Sequence, residues 1–326
     1  MMAAQLALSI PTGATAAIPL TQAKATAVDL FAGAGGFTTA ARKVGVHVLW
    51  AANHWPEAVA VHAVNHPETE HAVQDLRQYD FGTLPDHDML LASPSCVGHT
   101  RARGGEKPHH DLARSTAWAV VSCAEAKRPR VVVVENVVEF LQWALYPAWA
   151  MAMRALGYAL SVNIIDAARC GVPQNRVRVF IVATRSAAPM VIRRPAMDYV
   201  PAASFIRWDE GAWVDIEGAD YAEKTMIRIR DGRARFGDRF VHAYYGSNKV
   251  ARSIDRPIGT ITTVARWGVV DGGKMRMLLP SEARAAMDFP DDYTLPEKTA
   301  DALKMLGNAV CPGVAAHVIS EVLRAA

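Results

Sequence analysis

The chain has 326 residues, 51% of them hydrophobic and 21% charged, with a formal net charge of +3. That length can bury a large core and leaves room for one big domain and a smaller one, while so small a charge confines any nucleic-acid footprint to a local patch. The four cysteines, Cys96, Cys123, Cys170 and Cys311, are too widely spaced for a disulfide framework or a structural zinc site, and no apolar run approaches the roughly 18–20 residues that span a bilayer, so neither a metal nor a membrane is expected.

Residues 1–25 are rich in Ala, Thr, Ser and Pro and carry no charge before Lys24, which reads as an untethered tail and not as a signal peptide with a basic start. From residue 26 short apolar runs alternate with longer helical stretches. Ala27–Phe31 predicts a buried strand, then a glycine turn into a helix that runs to about Val44; His47–Ala52 predicts the next strand, and a helix starts at Pro56. Asp88–Ala92 and Arg130–Glu135 predict two more parallel strands, the second built on four consecutive valines (131–134) and so buried on both faces. Val177–Ala183 predicts another. Strands separated by helices specify an α/β fold with a doubly wound, mostly parallel sheet. After about Ser186 the pattern breaks. Scattered aromatics, turns and basic residues follow, with period-two alternation at 226–230 and 258–263, which predicts a smaller β-containing module. Helical periodicity resumes at 280–288 and again from Ala300. The expected organisation is a tail (1–25), a discontinuous α/β domain (26–186 and 277–326) and an inserted module (187–276).

The residues that can carry chemistry gather at strand ends. Ser93-Pro94-Ser95-Cys96 closes one apolar run, and a basic, glycine-flanked loop with Arg101, Arg103 and Lys107 follows it. A thiolate there is a strong nucleophile once cations lower its pKa, and the cations suit a phosphate-bearing partner; taken alone, Cys96 also fits an inert buried thiol. Asp29–Phe37 reads as strand, Gly-rich turn and helix, a form shared by dinucleotide, nucleotide and S-adenosylmethionine sites. Asn53-His54-Trp55 and Asp75-Leu76 end two further strands: Trp55 can stack on adenine and Asp75 accept from its amino group, or they serve as core residue and helix cap. Glu135-Asn136-Val137 ends the valine strand, where open α/β sheets place ligands. A carboxyl in that apolar wall would have a raised pKa and donate a hydrogen bond, or else act as a cap or ion-pair partner. Arg176 and Arg178 share one strand face and could grip a phosphate or base carbonyl, or form a solvated edge.

In this order the segments resemble the DNA (cytosine-5)-methyltransferases of bacterial or phage type, over almost all of residues 27–326. The Gly-rich cofactor motif is similar to Asp29–Phe37 and the catalytic Pro-Cys motif to Pro94–Cys96. Glu-Asn-Val stands intact at Glu135–Val137, Gln-x-Arg-x-Arg at Gln174–Arg178, and Gly-Asn-Ala-Val at Gly307–Val310. The Arg-Pro and Thr-rich element resembles Arg256–Thr263, and Pro280–Tyr293 resembles the segment that usually precedes the last motif.

The resemblance implies a Rossmann-like methyltransferase fold and an enzyme that moves a methyl group from S-adenosylmethionine to carbon 5 of a flipped cytosine, leaving S-adenosylhomocysteine, with no metal. Cys96 would add to carbon 6 of the ring, Glu135 would donate to ring nitrogen 3, Arg178 would hold the ring carbonyl and Arg176 would orient the catalytic loop. The cofactor would be held by Phe31, Ala32, Gly33, Ala34, Gly36, Asn53, His54, Trp55, Asp75, Leu76, Pro94, Asn308 and Ala309. Two departures stand out: His54 replaces the usual acidic residue at the ribose, and Ser95 replaces a proline before the nucleophile. The implied partners are double-stranded DNA and a separately acting cognate restriction endonuclease; a cytoplasmic monomer is expected. In the inserted module, which the family uses for target recognition, Arg228, Arg230, Arg233 and Arg235 would contact DNA, or else form a solvated face. A tRNA cytosine-5 methyltransferase and a catalytically weakened DNA-binding relative remain as alternatives. The glycine turn alone would also suit a nicotinamide oxidoreductase, which leaves Cys96 and Glu135 without a task.

Overall fold

The computed structural model describes residues 20–95, 116–244 and 251–325. Its larger layer is a seven-stranded sheet of order β3-β2-β1-β4-β5-β7-β6. β1 (Ala25–Leu30), β2 (Val46–Asn53), β3 (Glu70–Val73), β4 (Met89–Ala92) and β5 (Val131–Asn136) run parallel. Every residue of β4 and β5 is buried, because an apolar run with no polar face is stable only between two helix layers. Their side chains alternate between two cores: Met89, Leu91, Val131 and Val133 face α1 (Gly36–Val44) and the C-terminal helix α8 (Pro312–Ala325). Leu90, Ala92, Val132 and Val134 face α3 (Thr116–Lys127) and α4 (Tyr146–Ala155). α2 (Pro56–Asn65) connects β2 to β3.

One strand of this sheet escaped the sequence pattern, and β3, the strand expected ahead of Asp75, is short. β3 has only four residues, none of them buried. β6 (Ala159–Asp166) exposes Val162 and Ile164, so its apolar residues do not mark its buried face. β7 (Val177–Thr184) is antiparallel to both β5 and β6, since the short turn after Asp166 leaves no room for a helical crossover.

The second sheet is antiparallel, of order β10-β9-β11-β12-β8, from β8 (Val214–Asp215), β9 (Arg239–Ala243), β10 (Ala251–Ser253), β11 (Trp267–Asp271) and β12 (Lys274–Met277). The strand expected at 226–230 is instead part of α5 (Glu223–Phe236). Its buried residues Thr225, Ile229 and Gly232 recur at helical spacing, and Gly232 is required because an added Cβ would lie 2.2 Å from the Phe240 ring. The alternation at 258–263 produces no strand, only a single bridge between Ile258 and Gln174.

The chain returns to the large sheet through α6 (Pro280–Ala286), α7 (Thr299–Asn308) and α8. Contrary to the sequence expectation, Thr299–Ala325 has the length and apolar composition to cross a bilayer; 67% of its most apolar window is buried within the protein.

Candidate functional site

The carboxyl ends of β1, β4 and β5 are tied together by hydrogen bonds. Ser93 donates through N–H to the Leu30 carbonyl at 3.2 Å and through Oγ to the Phe31 carbonyl at 3.1 Å. Asn136 Nδ2 donates to the Pro94 carbonyl at 3.0 Å, and the Ser95 amide donates to Thr116 Oγ1 at 3.0 Å. The backbone leading to Cys96 is therefore fixed from three sides. Cys96, Arg101, Arg103 and Lys107 lie outside the described residues.

Glu135 is buried, its Oε1 3.3 Å from Arg178 Nε. Burial pushes its carboxyl pKa up, against the opposing pull of Arg178 and then Arg176. Arg176 is 3% exposed and donates to the carbonyls of Ile261 (3.1 Å), Gly307 (3.0 Å) and Ala309 (2.9 Å). It fastens the Thr-rich element and the last motif to the start of β7, a task sequence reasoning did not foresee. Gln174 joins in: its Oε1 accepts from the Ile261 amide at 2.7 Å and its Nε2 donates to the Ala286 carbonyl at 3.0 Å. Beside them opens a cleft of about 430 Å³, with Arg178, Glu139, Arg252 and Thr260 on its walls.

The glycine turn divides its residues between two tasks. Phe31, Gly33 and Gly35 all have left-handed backbones (φ 62°, 54° and 78°). A Cβ on Gly36 would lie 2.0 Å from the Val310 carbonyl oxygen, and one on Gly35 2.6 Å from the Tyr293 hydroxyl. Ala34 is 1% exposed, and its carbonyl accepts from the Tyr293 hydroxyl. The Ala34 side chain and the Cβ side of Gly36 thus face the protein. A Cβ on Gly33 would meet only the Phe31 carbonyl, at 3.8 Å; the open side of the turn is here. Ala32 donates from its amide to the Ala52 carbonyl at 3.0 Å.

At the end of β2, Asn53 Oδ1 accepts from the Trp55 amide at 3.0 Å, and His54 is exposed. Trp55 caps α2, with Lys304 Nζ 4.2 Å from its ring centroid. Asp75 follows the second of its two sequence readings, the cap. Its carboxylate caps the turn at the Arg77 amide and pairs with the Arg77 guanidinium at 2.5 Å, and that hydrogen bond brings its pKa to about 2. Leu76 is 2% exposed and belongs to the core beside Trp50 and Phe81. Asn308 is exposed at the end of α7, next to Ala309. An open Gly33, an indole and an exposed amide fit an adenosyl ligand across the ends of β1 and β2.

The module's arginines do not share a strand face. On helix α5, Arg230 pairs with Glu223, Arg233 donates to the Gly272 carbonyl at 3.0 Å and Arg235 pairs with Asp231 at 3.3 Å. Arg228 is half-buried and acts on His242 and Tyr244. Asn136 and Gln174 were within motifs, but no local pattern could show that their amides bridge distant segments.

A family model described as C-5 cytosine-specific DNA methylase matches residues 25–205 and 216–324. Type II methyltransferase M.HhaI of Haemophilus parahaemolyticus is 25% identical over 309 residues, 89% of this chain and 92% of the relative. Type II methyltransferase M.NlaX of Neisseria lactamica is 24% identical over 329 residues, 92% of this chain and 96% of the relative. The crystal structure of a DNA modification methyltransferase encoded within an E. coli prophage superposes with a TM-score of 0.69 at 17% identity, covering 92% of this chain and 98% of that one.

Proposed function

This chain belongs to the C-5 cytosine-specific DNA methylase family, and from that premise we propose that it methylates carbon 5 of an extruded cytosine in duplex DNA through a transient bond to Cys96. The observation that carries the reading is the buried Glu135 carboxyl, 3.3 Å from Arg178 at the cleft, on the same strand end whose Asn136 holds Pro94.

The chemistry follows from what these groups can do. Carbon 5 of cytosine is a weak nucleophile. Addition of the Cys96 thiolate to carbon 6 forms a sulfur–carbon bond and pushes the ring electrons toward nitrogen 3, where Glu135 donates its proton. Arg178 orients Glu135 and holds the ring carbonyl. Gly33, Phe31, Trp55 and Asn308 would hold S-adenosylmethionine, which would supply an electrophilic methyl group. Loss of the carbon 5 proton to a base then expels Cys96. The ring must leave the stack first, at a cost of a few kcal/mol, and the cleft beside Arg178 would receive it.

The relatives' names, Type II methyltransferases, favour DNA over tRNA as the substrate. They also favour a restriction–modification setting with a separately acting endonuclease; a monomer working in the cytoplasm belongs to the same proposal. Residues 187–276 would read the target sequence. Arg252, on the cleft wall, is better placed to meet DNA than the internally paired Arg230 and Arg235.

The test is methyl transfer from labelled S-adenosylmethionine into duplex DNA and into total tRNA, with Cys96→Ala beside the native chain. DNA methylation lost in Cys96→Ala, together with a covalent adduct of the native chain on 5-fluorocytosine DNA, supports the reading. Transfer to tRNA alone, or full activity without Cys96, overturns it.

A further inference from the structure

A chain of titratable side chains runs beneath the glycine turn and takes no part in the reaction above. His71, partly exposed on β3, has Nε2 2.7 Å from Nδ1 of His62 on α2. His62 Nε2 is 3.1 Å from Thr38 Oγ1 on α1, which is 2.8 Å from Asp29 Oδ2 at the end of β1. Asp29 is 0% exposed, and its other oxygen, Oδ1, has no hydrogen-bond partner among the described residues. A side branch joins His66 Nε2 to Thr39 Oγ1 and to the Tyr293 hydroxyl, each at 3.2 Å.

A neutral imidazole donates from one nitrogen and accepts at the other, and a hydroxyl does both. The chain therefore has two complete hydrogen-bonded arrangements. In the first, His71 Nε2–H donates to His62 Nδ1, His62 Nε2–H donates to Thr38, and Thr38 donates to an ionised Asp29. In the second, every bond is reversed: a protonated Asp29 donates to Thr38, Thr38 to His62 Nε2, and His62 Nδ1–H to His71 Nε2. One proton from solvent, added at His71 Nδ1, converts the first into the second. Each group passes on its own proton, and the carboxylate gains an O–H bond.

We propose that His71, His62, Thr38 and Asp29 act as one proton-taking unit, coupling solvent at β3 to the carboxyl beneath the glycine turn and so to cofactor binding. The coupling to cofactor rests on the reading of that turn as the S-adenosylmethionine site. The four are positioning residues, since none touches the reacting atoms.

The surroundings suit the task. Burial holds His62 near a pKa of about 3 and His66 well below the imidazole range, with neighbouring histidines adding to the effect. Both stay neutral where Asp29, raised by burial to about 7, exchanges its proton. The other charged or titratable groups facing the unit are Arg42 on α1, Glu68 after α2, which lies 3.8 Å from Arg42, and Tyr293, whose hydroxyl pKa burial raises. On the reading of the turn as the cofactor site, a cationic sulfonium bound there would favour the carboxylate, so that binding would release the proton.

Nitrogen-15 NMR of the histidines and carbon-13 NMR of the aspartates, in the full chain without cofactor from pH 5.5 to 8.5, tests the unit. The expected result is that His62 switches from Nδ1–H to Nε2–H at the Asp29 midpoint, with no imidazolium, and that Thr38→Val abolishes the switch. A single His62 tautomer throughout, or an unchanged switch in Thr38→Val, overturns the proposal. Should Thr38→Val fail to fold, His71→Ala at the partly exposed end must move the Asp29 midpoint by about 0.5 unit or more; an unmoved midpoint overturns it equally. Calorimetry with S-adenosylmethionine in two buffers at pH 7 should show release of about half a proton, lost in Asp29→Asn; undiminished release overturns the coupling. No binding at all by the native chain overturns the cofactor reading of the turn, while the NMR result stands apart from it.

Discussion

Asn136 Nδ2 reaches across from the end of β5 to the Pro94 carbonyl at 3.0 Å, so the strand that carries Glu135 also holds the backbone before Cys96. That buried amide is itself oriented by its Oδ1, which accepts from the Val137 amide at 2.9 Å. Replacing Asn136 by Ala strands the Pro94 carbonyl and is expected to cost about 1–3 kcal/mol of stability. Methylation should fall further than this alone implies, with kcat reduced and the KM for S-adenosylmethionine little changed. Steady-state kinetics beside urea unfolding separates the two effects.

On the proposed role of Glu135 as proton donor, Glu135→Gln keeps the shape and an N–H donor but has no proton to surrender. Methyl transfer is expected to drop by about 100-fold or more. Because burial raises the native carboxyl's pKa, the donor form persists to higher pH than for a free glutamate and is lost as pH rises through the folded value. The native alkaline limb of kcat should reflect that loss, and the Gln variant should lack it.

Asp29 supplies a stability test. Its pKa rises from 3.8 to about 7 on folding, so the native state holds the proton more tightly than the unfolded chain. The stability this gives is fully present below about pH 4 and disappears as pH rises through 7. Asp29→Asn removes the dependence: relative to the native chain it should gain on the order of 2–4 kcal/mol between pH 5 and pH 8. Urea midpoints at the two pH values check this, and equal pH dependence of both proteins would contradict it.

Gly36→Ala and Gly307→Ala should each destabilise by about 1–3 kcal/mol. Their new methyl groups would meet backbone, Val310 O at 2.0 Å and Thr263 N at 2.3 Å, which cannot swing away. Gly273→Ala, with no atom within 4 Å of its added carbon, is the neutral control. Thermal melts of the three variants give the comparison.

Arg276 on β12 and Glu282 on α6 form a buried two-pronged ion pair at 2.6 and 2.8 Å that links the small sheet to the returning chain. Glu282→Gln leaves a buried guanidinium undercompensated and should cost about 3–5 kcal/mol. Replacing both by apolar residues, Arg276→Met with Glu282→Leu, should recover much of that loss. A double variant as unstable as the single one, by urea unfolding, would contradict this account.

Some features were legible because they are local. Four consecutive valines demand a strand covered on both faces, and the glycines of 33–36 demand a turn. The order of short motifs, Glu135–Val137 and Gln174–Arg178 among them, pointed to the family that the family model also matches. The same local reading misjudged α5, where alternating Ile227, Ile229 and intervening arginines looked like a strand face. Of two residues that the family resemblance assigned to the cofactor, Leu76 packs in the core and Asp75 caps a turn, the alternative local reading, and pairs with Arg77 two residues away.

By itself, then, the sequence determined the layers and the chemical groups at their edges, since periodicity and side-chain type act over a few residues. The tertiary structure alone decided which of those groups meet. Arg176 spans 131 and 133 residues to the carbonyls of Gly307 and Ala309, and Gly36 lies against Val310. Hydrogen bonds link the buried Asp29 through Thr38 and His62 to the partly exposed His71. Each contact satisfies a buried polar group or fills a gap between distant segments, and such demands arise only once the chain has closed on itself.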